Sequence, residues 1–147
     1  MSQADKNLVL RYYELVDAHR FDEAAVMLAP DVIGYFGAAP PTRTREEFCN
    51  VVKAIYTVFP DIVHEFREVI AEAGQVVTAG IWTGTHREPF QGIAATGARV
   101  QVTVIHIDRV AGGLITEHWG VADSLNLLRQ LEGAAGSGPQ APGIRTK

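Results

Sequence analysis

The segment ITEHWGVADSLNLLRQL, residues 115–131, combines residue types suited to proton transfer with a change of backbone pattern. A carboxylate such as that of Asp123, held in an apolar pocket, can act as a general base or acid. Asp is also a preferred N-cap, and a helical pattern begins directly after Asp123. In a regular strand Glu117, Trp119, Val121 and Asp123 share one face, and the bulky Trp119 predicts that this face is inward. Both roles stay open for Asp123, the helix cap and the acid–base group.

Three histidines are candidates to assist this carboxylate, because a developing enolate needs a hydrogen-bond donor. His86 ends the strand-like segment GTH, where a histidine bonded to the backbone is the competing interpretation. His106 and His118 lie on strands joined by the turn AGG, and the simplest register places them opposite each other. They would then lie on the face away from Asp123, unless a bulge turns one of them inward. We predict Asp123, His86 and His118 as catalytic residues and His106 as a substrate contact. No histidine pair has the helical spacing of a metal site, so no metal and no cofactor is predicted.

Aromatic residues on several segments are candidates for the walls of a site for a flat molecule. Core packing is the usual role of any one of them. Trp82 and Trp119 are the strongest predictions for pocket walls. The predicted substrate-binding aromatics are Tyr12, Phe36, Trp82, Phe90 and Trp119. Arg109 and Glu117 are predicted to form a cross-strand ion pair with a structural role.

The elements that would position these residues follow from hydrophobic periodicity. Residues 4–19, the segment FDEAAVMLA and residues 44–59 have helical patterns, and Thr44 with Glu47 forms a capping box before the third helix. From residue 62 the apolar period falls to two, which predicts four consecutive antiparallel strands up to residue 122. Such an α+β domain is a curved antiparallel sheet wrapped round the third helix, with three N-terminal helices and a short C-terminal helix. The resulting cone has an open mouth and is a natural small-molecule pocket.

The segment RVQVTVIHIDRV changes phase, because Val100, Val102 and Val104 are even-numbered while Ile105 and Ile107 are odd-numbered. A strand with a period of two cannot change phase without a bulge or two buried faces. We predict a bulge near Val104. An apolar outer face used for dimerisation would give the same pattern.

Composition limits the possible classes of protein. The chain has 147 residues, a formal net charge of -4 and a single cysteine, so it fits one domain without an internal disulfide. We predict a domain over residues 1–132 and a Gly/Ala/Pro-rich tail over 133–147. Scattered basic residues predict no nucleic-acid partner, and short apolar runs predict no membrane span. The expected location is the cytoplasm.

Three segments together resemble the SnoaL-like polyketide cyclases, a branch of the NTF2-like cone folds: GTHREPFQGIAATGARV, RVAGGLITEHW and DSLNLLRQL. The resemblance covers roughly residues 5 to 132. It implies aldol-type ring closure of a polyketide ester by acid–base catalysis without metal or cofactor. In the family the catalytic carboxylate follows the last strand, and Asp123 occupies the matching position. The implied substrate is a small hydrophobic or aromatic carbonyl compound, and the expected assembly is a homodimer.

Two further functions are possible for the same cone. One is a hydroxylase or an epoxide-hydrolase-type enzyme, which would need two acids bridged by an arginine. Asp123, Arg109 and Asp108 provide these residue types, yet neighbouring strand residues 108 and 109 point to opposite faces. The other is a non-catalytic dimeric module that binds a small molecule. Fold alone does not choose among these functions.

Overall fold

The computed structural model describes residues 2–136, and this part of the chain forms four helices and five strands. The elements are α1 (Ser2–Asp17), α2 (Phe21–Ala25), β1 (Leu28–Phe36), α3 (Arg45–Val58), β2 (Val63–Glu72), β3 (Gln75–Thr85), β4 (Arg99–Ala111), β5 (Leu114–Ala122) and α4 (Ser124–Gly136). The five strands form one curved sheet, and the predicted α+β architecture is confirmed.

The sheet has the strand order β1-β5-β4-β3-β2. Strands β2 to β5 pair as successive antiparallel hairpins, as predicted, and β1 adds to the edge of β5 in parallel. The central strand β4 is therefore paired on both sides, with β3 and with β5. Its side chains reach the middle of the inner face, which makes β4 the main platform for a site.

Strand β4 is regular, and the predicted bulge near Val104 is wrong. Burial alternates along the whole strand, with even-numbered residues inward and odd-numbered residues exposed. Pairing with β3 continues without a register shift from Arg99 to Arg109. The phase does not change because the strand continues inward with the polar residues His106 and Asp108, while Ile105 and Ile107 are exposed on the outer face.

A register shift does occur at the other end of the β4–β5 hairpin. Arg109 pairs with Glu117 whereas Val110 pairs with Ile115, so Thr116 is an extra residue on β5. One extra residue moves every following side chain to the opposite face of the sheet. Ile115 is buried before the shift, and His118 is buried after it.

The helices close one side of the sheet and begin where local sequence dictates. The Thr44 side chain accepts a hydrogen bond from the Glu47 amide, which starts α3 as the capping-box pattern predicts. Helix α3 ends at Val58, just before Pro60, which cannot continue a helix. Buried residues of α1 and α3, including Tyr12 and Phe48, join the inner face of the sheet in one hydrophobic core.

The C-terminal helix is longer than expected. Helix α4 extends to Gly136, four residues beyond the predicted domain boundary at residue 132. Leu127 and Leu131, one helical turn apart, bury its apolar side. The remaining residues of the predicted tail, 137–147, lie outside the described part of the chain.

Candidate active site

A cavity of about 360 Å³ lies between the inner face of the sheet and helices α1 and α3. This volume is in the range of small-molecule sites. Most of its wall is apolar or aromatic, with Tyr12, Phe36, Phe48, Tyr56, Trp82 and Phe90 among the lining residues. Three histidines interrupt this wall: His64 from β2, His106 from β4 and His118 from β5. The cavity thus combines a surface suited to a flat apolar molecule with groups able to move protons.

His118 forms a buried pair with Asp108. The two residues are directly opposite on β5 and β4, and His118 Nδ1 lies 2.8 Å from Asp108 Oδ1. The hydroxyl of Tyr13, on α1, donates to the other carboxylate oxygen at 3.0 Å. Burial and the Asp108 charge raise the pKa of Tyr13 well above its usual value, so the phenol keeps its proton and remains a donor. Asp108 therefore accepts from two sides and fixes the orientation of the His118 ring.

A second pair has the same composition at the opposite side of the histidine group. His64 Nδ1 lies 2.9 Å from Asp17 Oδ1, and the backbone amide of His64 donates to Asp17 Oδ2 at 2.8 Å. The hydroxyl of Tyr56, on α3, donates to Asp17 Oδ1 at 2.5 Å. Burial and the Asp17 charge raise the pKa of Tyr56, so this phenol also remains a donor. Asp17 thereby joins the end of α1, helix α3 and the start of β2.

His106 lies between these pairs and has no carboxylate partner among the described residues. Its ring centroid is 5.4 Å from that of His118 and 5.7 Å from that of His64, and it stacks on Tyr13 at 4.9 Å. Its Nδ1 lies 3.4 Å from the hydroxyl oxygen of the buried Thr78. Burial, followed by the positive charges that His118 and His64 carry when protonated, lowers the pKa of His106 well below its usual value. His106 is therefore neutral at physiological pH.

Each of the three histidines has one ring nitrogen without a hydrogen-bond partner among the described residues. Each engages Nδ1 with a partner, and no described residue hydrogen-bonds to Nε2 of His64, His106 or His118. A carboxylate that accepts from Nδ1–H sets the tautomer whose Nε2 is a free acceptor. His118 and His64 in this state can each take a proton from a molecule in the cavity, and each can return one after protonation.

Gly120 makes room for this group. It pairs with His106 across the β4–β5 ladder and lines the cavity. A Cβ atom at this position would lie 2.9 Å from His118 Nε2 and 3.4 Å from His106 Cδ2. A side chain here would therefore displace one of the two rings or cover the free nitrogen of His118.

The prediction that the Asp123 carboxylate projects into the cone is wrong. Asp123 is exposed and is not among the residues lining the cavity. Its Oδ1 accepts from the Asn126 amide at 3.1 Å, which is the N-cap bond of α4. The extra residue Thr116 moves the remainder of β5 to the opposite face, so the face shared by Glu117, Trp119 and Asp123 is the outer one.

Trp119 is displaced for the same reason, and its prediction as a pocket wall is wrong. Its ring stacks on Tyr35 of β1 at 3.9 Å on the outer face, and its Nε1 donates to Glu117 Oε2 at 2.6 Å. The predicted ion pair between Arg109 and Glu117 is present there, with Nε and Oε1 3.6 Å apart. Arg109 and Asp108 point to opposite faces, so these residues do not form an arginine-bridged pair of acids in the cavity.

His86 is fully buried but does not line the cavity. Its Nδ1 accepts from the Thr96 amide at 3.1 Å and lies 2.9 Å from the Thr96 hydroxyl oxygen. The backbone of His86 also bonds to Gly97 and Ala98. His86 therefore holds the loop between β3 and β4, as the competing interpretation expected.

The other predicted site residues do line the cavity: Tyr12, Phe36, Trp82, Phe90, His106 and His118. Their contact with a substrate remains a prediction. Sequence reasoning considered Asp108 only for the epoxide-hydrolase-type alternative, although its even number on β4 could have placed it inward with Val104. It missed Asp17 and Tyr56, which no local pattern connects because they lie 39 residues apart and meet only in the fold.

Within residues 2–136, no group of three or more His, Cys, Asp or Glu side chains is arranged to hold a metal ion. No helix in the same range is long and apolar enough to cross a membrane.

Fold and cavity together define a cone-shaped α+β domain with a histidine-lined cavity. The sequence profile of the SnoaL-like polyketide cyclases matches residues 6–131, and the chain belongs to this family. A search of curated proteins finds no match.

Solved structures of the same fold include several family members. A candidate SnoaL-like polyketide cyclase from Jannaschia sp. CCS1 is 19% identical, with 89% of this chain and 93% of that chain covered and a TM-score of 0.84. IdmH from Streptomyces antibioticus, a candidate polyketide cyclase, is 27% identical over 87% and 98% of the chains, with a TM-score of 0.77. AclR from Streptomyces galilaeus, a candidate hydroxylase, is 23% identical over 98% and 88%, with a TM-score of 0.78.

Proposed function

We propose that this protein is a small cofactor-independent enzyme that closes a ring by intramolecular aldol addition within a polyketide-like carbonyl compound. The observation that carries the proposal is the buried His118–Asp108 pair. His118 lines the cavity, and its Nε2 has no hydrogen-bond partner among the described residues. Family membership supports the reaction class, and the aromatic wall supports a flat hydrophobic substrate. The acid–base role expected for Asp123 passes to His118.

In the proposed reaction, His118 Nε2 removes a proton from a carbon next to a carbonyl group. Asp108 stabilises the resulting imidazolium and holds the ring in position, since it accepts from Nδ1–H at 2.8 Å. The carbonyl oxygen of the substrate becomes an enolate oxygen, which needs a hydrogen-bond donor. His106 is neutral and adjacent, and its Nε2–H can serve as this donor when Nδ1 accepts from Thr78.

Ring closure then follows within the same bound molecule. The enolate carbon attacks a second carbonyl carbon, a carbon–carbon bond forms, and the second oxygen becomes an alkoxide that takes a proton. Atoms and electrons balance without an oxidant or a reductant. The aromatic wall would hold the chain folded so that the reacting carbons approach each other, which is the largest contribution available to an intramolecular step.

The test uses a naphthyl β-hydroxyketone, whose retro-aldol cleavage releases ketone and a fluorescent naphthaldehyde. The wild-type protein should cleave this probe faster than buffer, and His118→Gln should reduce kcat by about 10²–10⁴-fold. His19→Gln is the matched control, because His19 is an exposed histidine outside the cavity lining. Equal rates for wild type and His118→Gln would contradict the proposal.

A non-catalytic binding module is the alternative that this experiment also addresses. A cavity that only holds an apolar ligand has no use for the buried Asp108 carboxylate and the partly buried Asp17 carboxylate, since withdrawing a carboxylate from water is costly without several hydrogen bonds. The pairing of both carboxylates with histidines that line the cavity favours an enzyme.

We also propose that the protein forms a homodimer through the outer face of the sheet. Ile105 and Val121 are paired neighbours on β4 and β5, and so are Ile107 and Trp119; all four are at least 36% exposed. The Tyr35 ring extends this surface onto β1 through its stack on Trp119. A contiguous apolar surface of this kind is typical of an interface. A second copy is the natural occupant, because a twofold axis can pair such a surface with itself.

A further inference from the structure

The pair formed by Asp17 and His64 has no part in the reaction as described above. It resembles the His118–Asp108 pair in each feature that matters for proton transfer. A carboxylate accepts from His Nδ1, a tyrosine hydroxyl donates to the same carboxylate, and the histidine lines the cavity with Nε2 unused by any described residue. The tyrosine comes from α1 in one pair and from α3 in the other.

We propose that His64 is the second proton-transfer residue of the cavity, oriented by Asp17 and Tyr56, and that it protonates the alkoxide oxygen formed on ring closure. This inference rests on the proposed function, since it assigns the group that completes that reaction. An aldol addition removes one proton from carbon and delivers one proton to oxygen, and the two atoms lie at different places on the substrate. Two carboxylate-backed histidines separated by a third histidine match this requirement.

The local contacts of Asp17 support an orienting role. Asp17 is the last residue of α1, where a negative charge is unfavourable with respect to the helix dipole. Three donors compensate: the Tyr56 hydroxyl, His64 Nδ1 and the His64 amide. Two of these three bonds go to His64, one to its ring and one to its backbone. The arrangement therefore fixes both the position and the tautomer of the His64 ring.

The charged and titratable groups around His64 come from three elements. Asp17 and Tyr13 belong to α1, Tyr56 to α3, and His106 to β4. Asp17 is the only carboxylate among these groups. A protonated His64 thus has one adjacent counter-charge, while His106 stays neutral and offers a donor between the two proton-transfer sites.

Solvent water returns both histidines to their starting protonation states after each reaction. The proposed step requires a neutral His118 and a protonated His64 at the start. His118 takes the carbon-bound proton, the new carbon–carbon bond forms, and the alkoxide takes the proton of His64 Nε2. The product has the same atoms as the substrate. Afterwards His118 releases a proton to water and His64 takes one from water through the open mouth of the cavity.

The experiment is the pH profile of kcat for cleavage of the naphthyl β-hydroxyketone. Cleavage is the reverse reaction, so His64 removes the hydroxyl proton and protonated His118 delivers a proton to the enolate carbon. His64→Gln should lower kcat by about 10²-fold or more and remove the fall in rate at acidic pH. His118→Gln should instead remove the fall in rate at alkaline pH.

Tyr56→Phe tests the orienting role with the ring retained, and it avoids the larger structural change expected of Asp17 variants. It should reduce kcat by less than His64→Gln, shift the acidic limb of the profile and leave KM nearly unchanged. A purely structural role for Tyr56 would lower thermal stability without moving the limb. Asp123→Asn, at a residue that caps α4 and does not line the cavity, should match the wild-type profile throughout.

The outcomes separate the two proposals. If His64→Gln retains kcat and both limbs while His118→Gln loses activity, the role of His64 is refuted and the proposed function stands. If neither variant differs from wild type, the proposed function fails and this inference fails with it. If kcat of His64→Gln no longer falls at acidic pH but still falls at alkaline pH, the assignment of His64 as a proton-transfer residue is supported.

Discussion

Along residues 105–108 of β4 and 118–121 of β5, the two faces of the sheet invert the usual distribution of polar and apolar side chains. The inner face carries His106, Asp108 and His118, all at most 9% exposed. The outer face carries Ile105 and Trp119, at 48% and 46% exposed. Buried polar groups of this kind are retained only where hydrogen bonds satisfy them, and exposed apolar surface is retained where something covers it. The inversion therefore supports the two proposals made above, a chemical site on the inner face and a dimer contact on the outer face.

The first test of this comparison removes one charged side chain from each face, at two adjacent positions of β4. Asp108→Ala should destabilise the protein by about 3 kcal/mol, because it leaves the Tyr13 hydroxyl and His118 Nδ1 buried without an acceptor. Arg109→Ala removes one member of a partly exposed ion pair and should cost less than about 1 kcal/mol. Urea unfolding of both variants provides the measurement. Similar losses for the two would contradict the assignment of the faces.

The second prediction addresses the outer face. Trp119→Lys should weaken dimer association by about 2 kcal/mol, roughly 30-fold, while the monomer remains folded. Sedimentation at a series of protein concentrations measures the association, and circular dichroism reports the fold. Val26→Lys is the control, because Val26 is 65% exposed and lies at the end of α2, away from the sheet. A wild-type protein that stays monomeric at all concentrations would refute the proposed interface.

The third prediction concerns the pH dependence of stability from the inner face. His106 has a lowered pKa in the folded protein, whereas an unfolded histidine titrates near about 6.5. Below that pH the unfolded chain binds a proton that the folded chain does not, so stability falls on acidification. Between the folded and the unfolded pKa of His106, the loss of unfolding free energy that this residue causes should reach about 1.4 kcal/mol per pH unit. Above the unfolded pKa, His106 causes no such loss.

The measurement compares wild type with His106→Gln in urea unfolding from pH 7.5 to pH 5. The difference between their slopes isolates His106 from the carboxylates that titrate in the same range. A slope that is unchanged in His106→Gln would show that His106 is protonated in the folded state, contrary to its buried and carboxylate-free position.

The elements of this fold could be predicted from sequence because their signals are local. The Thr44–Glu47 capping box, Pro60 and the alternation of apolar residues in β4 each act over a few residues. The face of the sheet on which each side chain lies could not be predicted as reliably. The assumption that isoleucine and tryptophan point inward led to a bulge near Val104 and to an inward Trp119, and both were wrong.

The residues of the site could not all be predicted from the sequence, for two physical reasons. The extra residue at Thr116 reverses the facing of β5, and no composition signal marks it. The partners of the histidines come from distant parts of the chain, as Tyr13 does for Asp108 and Asp17 does for His64. Only the parity of Asp108 with Val104 on β4 was available in advance, and it required the strand to be regular.

The most direct test of the central claim applies one substitution to two aspartates. Asp108→Asn and Asp123→Asn each remove a charge with little change of size, and Asn at position 123 still caps α4. The readout is kcat for cleavage of the naphthyl β-hydroxyketone. We predict a loss of about 10²–10⁴-fold for Asp108→Asn, because His118 loses the carboxylate that sets its tautomer, and a wild-type rate for Asp123→Asn. An inactive Asp123→Asn beside an active Asp108→Asn would contradict the account.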